Sequence, residues 1–154
     1  MPLEIEKKYL VKQLPENLSD YPYQEIKQGY IESTEQTSRR VRKKDEQYFY
    51  TEKSGTGIAR EENEHEISKE QFDEYWLQTG NRHVSKRRFL IPYANYTIEL
   101  DVYFGKLEGL FTAEVEFLSE EEANEFIPPD WFGDDVSLSR EYRNKTLAEE
   151  GLPG

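Results

Sequence analysis

Short segments in which charged residues alternate with other residues recur along most of the chain. In "EIEKKYLV", residues 4–11, Glu4, Glu6 and Lys8 stand at every second position. Successive side chains of a β-strand point to opposite faces, so these three residues would share one face. Two carboxylates this close repel each other, and the spacing therefore predicts a strand whose charged face lies next to a cation.

The same spacing returns in "RRVRKK", "FYTEKS", "REENEHEI", "SKRRFLI", "TIELDVYF" and "TAEVEFLS", each of strand length. Acids dominate some of these segments and bases dominate others. Together the charged faces hold eight acids, Glu4, Glu6, Glu62, Glu64, Glu99, Asp101, Glu114 and Glu116, and six bases, Lys8, Arg40, Arg42, Lys53, Lys86 and Arg88.

A half-solvated antiparallel sheet also alternates polar and apolar residues, so a single pair of this kind proves little. Three properties of the whole set favour an enclosed charged face. The opposite faces of "IELDVYF" and "AEVEFL" are strongly apolar, the charges are segregated by sign, and about eight strands suffice to close a barrel lined by one alternate set of side chains. The pattern therefore predicts a polar tunnel.

Turn residues bound the strand-length segments, and the fold class is predicted to be mainly β (α+β): an eight-stranded antiparallel closed β-barrel with a few flanking helices, as one domain over residues 1–154. Capping-box spacing of Ser68 with Gln71 and of Ser119 with Glu122 predicts two helices, and residues 137–150 predict a closing helix with Leu138, Tyr142 and Leu147 near one side. The predicted strands lie near residues 3–12, 24–32, 38–45, 47–54, 60–67, 82–92, 96–104 and 110–118.

Charge and composition limit the possible partners. A formal net charge of −12 disfavours binding to nucleic acid or to an anionic membrane, so an anionic ligand requires a local basic site. The chain contains no cysteine and no apolar run of membrane-spanning length, and it does not begin like a signal peptide. We therefore expect a cytoplasmic protein without a thiolate metal site; its oligomeric state, monomer or homodimer, is left open.

The chemistry of the charged face indicates a metal–polyphosphate site. Clustered carboxylates are hard oxygen ligands suited to Mg²⁺ or Mn²⁺, whereas arginine and lysine suit phosphate oxygens. His65 and His83 fall outside this face and are interpreted as surface or strand-end residues. The "SGTG" segment lacks the Lys-Ser/Thr of a Walker loop and is interpreted as a hairpin turn.

The segment "EIEKKYLV" resembles the Glu-x-Glu-x-Lys signature of the triphosphate tunnel metalloenzymes, or CYTH domain proteins, and the later charged pairs follow that family's order from Glu4 to about Lys145. The resemblance implies a triphosphate bound with Mg²⁺ or Mn²⁺ inside the barrel. It implies that Glu4, Glu6 and Glu116 bind metal, that Glu62, Glu64, Asp101 and Glu114 hold a second ion or its waters, and that Glu99 lines the tunnel. Phosphates would be held by Lys8, Arg40, Arg42, Lys86, Arg88 and Lys145, with Lys53 near the cleaved phosphate.

The substrate is less determined than the fold. "EVEFLSEEEANEFIPPDWFG" resembles compact bacterial members that prefer inorganic triphosphate, and we expect metal-dependent hydrolysis of inorganic triphosphate to pyrophosphate and phosphate. The alternatives are an adenylate cyclase acting on ATP, a nucleoside or thiamine triphosphatase, and a noncatalytic polyphosphate-binding module. The last would lack an essential metal-binding or water-positioning group, and the sequence lacks none.

Overall fold

The computed structural model describes residues 3–31, 37–55 and 58–153. The last residue of the predicted strand 24–32 and parts of the predicted turns "STEQT" and "SGTG" lie outside these ranges. The strands are β1 (Leu3–Val11), β2 (Tyr23–Ile31), β3 (Thr37–Lys44), β4 (Gln47–Ser54), β5 (Ala59–Ile67), β6 (His83–Tyr93), β7 (Tyr96–Tyr103), β8 (Phe111–Phe117) and β9 (Phe132–Asp135), and the α-helices are α1 (Lys69–Leu77), α2 (Glu120–Glu125) and α3 (Asn144–Glu150).

Eight antiparallel strands close into a barrel in the order β5-β4-β3-β2-β6-β7-β8-β1, and pairing of β1 with β5 completes the ring. Strand β1 divides one of its edges between two partners. Its first residues, Leu3–Ile5, pair with β5, whereas Tyr9 and Val11 pair with the short strand β9. The barrel therefore closes beside the Glu-x-Glu segment.

The apolar residues that alternate with the charged ones form clusters on the outside of the barrel. One cluster, which includes Ile98, Leu100 and Val115, is covered by α2 and the segment that leads to β9. A second cluster, which includes Val41 and Phe72, lies under α1. Because both outer clusters are buried, the charged residues of the same strands are directed into the barrel.

Helix α3 covers one end of the barrel. Leu147 and Ala148 are fully buried against inward-facing residues near the strand ends, among them Tyr30, Val84 and Tyr103. This apolar contact excludes water from that end of the interior, so the charged lumen lies between α3 and the opposite end.

The predicted barrel is confirmed, and its boundaries agree closely with the sequence pattern. The Ser68–Gln71 capping box is present, and Ser119 accepts a hydrogen bond from the Glu122 backbone at 3.1 Å. The closing helix is shorter than expected: Arg140–Tyr142 is 3-10, α3 begins at Asn144, and Leu138 is 72% exposed instead of packed beside Leu147. Strand β9 was not predicted. Among the described residues, no helix has both the length and the apolar character needed to cross a membrane.

Candidate active site

Three carboxylates from two neighbouring strands lie close together on the charged face, with Glu4 and Glu6 half-buried and Glu116 exposed. Glu4 and Glu6 lie on β1, and Glu116 of β8 lies directly opposite Glu6 in the strand register. One oxygen from each carboxylate lies within 4.8 Å of the others, close enough for a single cation to contact all three. The family resemblance implied these three residues as the first metal ligands, and that role stays a prediction.

Lys53, from the opposite side of the ring closure, supplies positive charge to this acidic group. Its Nζ lies 2.5 Å from Glu4 Oε1, 3.5 Å from Glu6 Oε1 and 3.7 Å from Glu62 Oε2. Burial opposes the charged form, but Glu6 and Glu4 raise the pKa of the Lys53 ammonium above its usual value. The predicted inward position of Lys53 therefore brings it into contact with two predicted metal ligands.

One lysine does not offset the repulsion among these acids. Burial, with Glu114 and Glu4 nearby, raises the pKa of Glu6 to about 7 even though Lys53 acts in the opposite direction. Partial burial and the neighbouring Glu99, Glu4 and Glu6 raise the pKa of Glu116 to about 7. The acidic group thus favours an additional proton or cation.

Across the lumen, Asp101 joins two buried bases. Arg88 donates to Asp101 through Nε to Oδ1 at 2.8 Å and through Nη2 to Oδ2 at 3.0 Å, and Lys86 Nζ lies 2.8 Å from Oδ2. Both Asp101 and the Lys86 side chain are fully buried. Arg88 also reaches Glu99 at 3.3 Å. In this arrangement Asp101 uses both oxygens on protein cations and lies outside the Glu4–Glu6–Glu116 group; its predicted role as a metal ligand stays a prediction.

A second basic pair lies on β3. Arg42 contacts Glu64 Oε1 at 3.0 Å, and Thr51 donates to the same oxygen at 3.1 Å. Burial and the adjacent charges of Arg40 and Arg88 lower the pKa of Arg42 to about 10. Burial and Arg88 likewise lower the pKa of Lys86 to about 8, although Asp101 opposes the change. Burial is the largest cause of both decreases, whereas nearby groups, among them acids, hold the pKa values of Arg40 and Arg88 above their usual range. This side of the lumen therefore holds four bases together with the acids that pair with them.

Lys8 lies between the acidic and basic sides. Its Nζ is 4.0 Å from Glu114 Oε1 and 2.5 Å from the Tyr142 carbonyl oxygen. Burial lowers the pKa of Lys8. Burial also opposes ionisation of Glu114, but Lys8 and Arg88 hold the pKa of that carboxyl below its usual range. Glu114 is thus paired with bases, unlike Glu6 on the adjacent strand.

A cavity of about 840 Å³, which includes space open to solvent, lies between this charged surface and the chain that precedes α3. It is lined by Glu4, Glu6, Lys8, Arg40, Lys53, Glu114 and Lys145, all of them predicted site residues. Two further bases, Arg60 and Arg143, also line it and were not predicted. Arg60 has the same two-residue spacing to Glu62 as the other inward residues, so the sequence carried a signal for it. Arg143 precedes α3 without such a pattern.

The remaining predicted residues lie around this cavity with different degrees of burial. Lys86, Arg88 and Asp101 are buried in the barrel, whereas Glu64 is exposed and Glu99 faces the end away from α3, beside Glu116. His65 is exposed, and His83 stacks on Trp76 with ring centroids 3.9 Å apart, consistent with the interpretation that neither belongs to the charged face.

Two known proteins are similar to this chain over nearly its whole length. The chain is 42% identical over 149 residues to an inorganic triphosphatase of Nitrosomonas europaea, covering 94% of this chain and 96% of that protein. It is 32% identical over 154 residues to an inorganic triphosphatase of Acetivibrio thermocellus, covering 95% and 93%. No family model matches the chain.

Solved structures share the architecture. A crystal structure of an inorganic triphosphatase superposes with a TM-score of 0.72 at 38% identity, covering 100% of this chain and 99% of the other. A conserved hypothetical protein of Pyrococcus furiosus, at 23% identity and a TM-score of 0.62 over 79% of this chain and 84% of its own, shares the fold. Since two curated relatives align with nearly its whole length, the chain belongs to the inorganic triphosphatase family of triphosphate tunnel (CYTH) proteins.

Proposed function

We propose that this protein hydrolyses inorganic triphosphate to pyrophosphate and phosphate inside the barrel, with Mg²⁺ or Mn²⁺. The observation that carries the proposal is the presence in one lumen of three carboxylates with oxygens within 4.8 Å of one another and of five buried or half-buried bases, Lys8, Arg40, Arg42, Lys86 and Arg88. Burial and neighbouring acids raise the pKa of Glu6 and of Glu116 to about 7, whereas burial above all lowers the pKa of Arg42 to about 10 and that of Lys86 to about 8. A bound cation would offset the repulsion among the acids, and a bound polyanion would offset the repulsion among the bases.

The donor set on the acidic side fits a hard divalent cation. Glu4, Glu6 and Glu116 offer carboxylate oxygens within 4.8 Å of one another, the ligand type that Mg²⁺ and Mn²⁺ prefer. Such an ion would neutralise phosphate charge and polarise the phosphoryl group when bound.

The basic side supplies fixed binding groups for a chain of phosphates. Guanidinium groups suit phosphate oxygens bidentately, and Arg40 and Arg42 would bind in this way. Arg88, which is bidentate on Asp101, adds positive charge together with Lys8 and Lys86. Transfer of a phosphoryl group to water depends mainly on positioning and charge stabilisation, for which a rigid closed barrel is well suited. These residues hold the triphosphate so that its terminal phosphorus is open to in-line attack by water.

Lys53 and two acids are proposed to act at the cleaved end. Lys53 lies against Glu4 and lines the cavity, where its ammonium stabilises charge that develops on the terminal phosphate or orients the attacking water. Glu62, 3.7 Å from Lys53, and Glu64, paired with Arg42, keep these bases oriented and accept hydrogen bonds from water.

The identity of the substrate rests on the relatives and on the charged lining of the cavity. Both curated relatives are named inorganic triphosphatases, and a site that reads only phosphates needs no pocket for a base. The net charge of −12 disfavours nucleic acid as a partner and leaves a small triphosphate as the ligand, and the absence of cysteine suits a cytoplasmic location.

The test is a comparison of kcat/KM for inorganic triphosphate, ATP, thiamine triphosphate and pyrophosphate, each with Mg²⁺ and with Mn²⁺. Inorganic triphosphate should have the highest value, because adenosine and thiamine must lie beyond the basic residues. Formation of cyclic AMP at a comparable rate would indicate a cyclase instead. Tight binding of triphosphate without turnover would indicate a polyphosphate-binding module.

A further inference from the structure

The segment between β9 and α3 is hydrogen-bonded to both the backbone and the side chain of Lys8. The Lys8 backbone N–H donates to Ser137 Oγ at 2.9 Å, and the Val136 N–H donates to the Lys8 carbonyl at 2.8 Å. The Lys8 ammonium donates to the Tyr142 carbonyl at 2.5 Å and to Asn144 Oδ1 at 3.3 Å. Two of its three N–H groups therefore bind this segment, and the third is shared between Glu114 Oε1, 4.0 Å from Nζ, and an anion in the cavity that both residues line.

Asn144 is itself held in one orientation by a buried network. Its Oδ1 also accepts a hydrogen bond from the Tyr103 hydroxyl at 3.1 Å, and that hydroxyl lies 3.1 Å from Thr112 Oγ1. Tyr103 and Thr112 are fully buried. Because an ammonium and a phenol both donate to it, the atom that faces Lys8 is the amide oxygen.

We propose that Asn144 is a positioning residue for substrate binding: its neutral amide oxygen, anchored by Tyr103, orients the Lys8 ammonium toward the cavity without neutralising it. This inference rests on the proposed function, since it takes Lys8 as a phosphate-binding residue. A carboxylate at position 144 would make the same hydrogen bonds, but it would pair with the Lys8 charge and repel a polyanion. The choice of amide over carboxylate is therefore a specificity feature of the site.

The test uses the isosteric exchange Asn144→Asp and the truncation Asn144→Ala, each alone and combined with Lys8→Met. Binding of inorganic triphosphate is measured by calorimetry in EDTA, and kcat and KM are measured with Mg²⁺. Asn144→Asp should weaken binding about tenfold or more while the thermal midpoint stays near that of the wild type. In the Lys8→Met background most of this effect should disappear, because the two residues act through one interaction. Asn17→Asp, the same exchange at an exposed loop site, is the matched control and should bind as the wild type does.

A second readout does not depend on the substrate. In protein labelled with ¹⁵N-lysine, an ammonium held by two acceptors should give a slowly exchanging signal that Lys8→Met removes and Asn144→Ala broadens. Wild-type affinity in Asn144→Asp, a full effect of Asn144→Asp in the Lys8→Met background, or an unchanged Lys8 signal in Asn144→Ala would overturn the inference. A wild-type protein that shows the Lys8 signal but does not cleave triphosphate would contradict only the proposed function.

Discussion

Replacement of Asp101 by asparagine should strongly destabilise the protein in the absence of ligand. Asp101 is fully buried, and its two oxygens receive Arg88 at 2.8 and 3.0 Å and Lys86 at 2.8 Å. Asparagine keeps one acceptor but turns an NH₂ group toward these donors. It removes the carboxylate that contacts Lys86 and leaves Arg88 with its longer contacts to Glu99 at 3.3 Å and Glu114 at 3.8 Å. Removing one partner of a buried ion pair typically costs about 3–5 kcal/mol, a large part of the total of about 5–15 kcal/mol for a domain.

Urea denaturation in EDTA measures this loss, and the neighbouring strand pair, β2 and β6, offers a matched control. Glu25 contacts Arg87 at 2.6 Å on the outer surface, where both side chains are 40% exposed or more. Because exposed ion pairs contribute only about 0–1 kcal/mol, Glu25→Gln should change the free energy of unfolding little. Inorganic triphosphate should also stabilise Asp101→Asn more than the wild type, because it supplies the missing negative charge. Equal effects of the two substitutions, or a loss below about 1 kcal/mol for Asp101→Asn, would refute this account of the basic side.

Glu6→Gln should abolish turnover while the fold survives, since it removes a charged metal ligand from a group of mutually repelling acids. Calorimetry should show that Mn²⁺ binding is lost together with the activity, and full activity at saturating metal would disprove the assignment of Glu6 as a metal ligand. Lys53→Ala should lower kcat more than it weakens binding, whereas Arg42→Ala should mainly raise KM; steady-state kinetics with a near wild-type kcat for Lys53→Ala would show that its role is misassigned. The metal-free protein should lose stability as pH rises through about 7, because the raised pKa values of Glu6 and Glu116 make the folded state bind more protons than the unfolded state between their ordinary pKa and about 7. The urea midpoint should therefore decrease as the pH is raised from 5.5 to 8.5 in EDTA, and it should decrease less with Mg²⁺. Identical pH profiles with EDTA and with Mg²⁺ would argue against a metal at these acids.

The barrel was predictable because its strands carry two complementary signals. Charged residues repeat every second position on the inner face, and residues such as Ile98, Leu100 and Val115 fill the alternate positions of the outer face. This double alternation defines strand, face and closure together. Strand β9 carries neither signal: its four residues, "FGDD", include a glycine, follow a proline-rich stretch, and form a strand only by pairing with β1.

The sequence predicted which residues lie at the site better than it predicted which of these residues contact one another. The sequence places Lys53 on the inner face, but its contact with Glu4 depends on how β4 and β1 are brought together by ring closure, which local spacing does not determine. The Arg88–Asp101 pair could have been predicted from the sequence, since a two-residue turn after Tyr93 sets the register that places the two residues opposite each other. The contact between Asn144 and Lys8 could not have been predicted from local spacing, because the two residues are 136 positions apart in the sequence.

Phosphorus-31 NMR of inorganic triphosphate during incubation with the purified protein tests the central claim most directly. With Mg²⁺ or Mn²⁺ the account predicts that triphosphate signals are replaced by equimolar pyrophosphate and phosphate, and that EDTA or Glu6→Gln stops the conversion. Unchanged triphosphate with either metal, or conversion that continues undiminished in EDTA, would contradict the account.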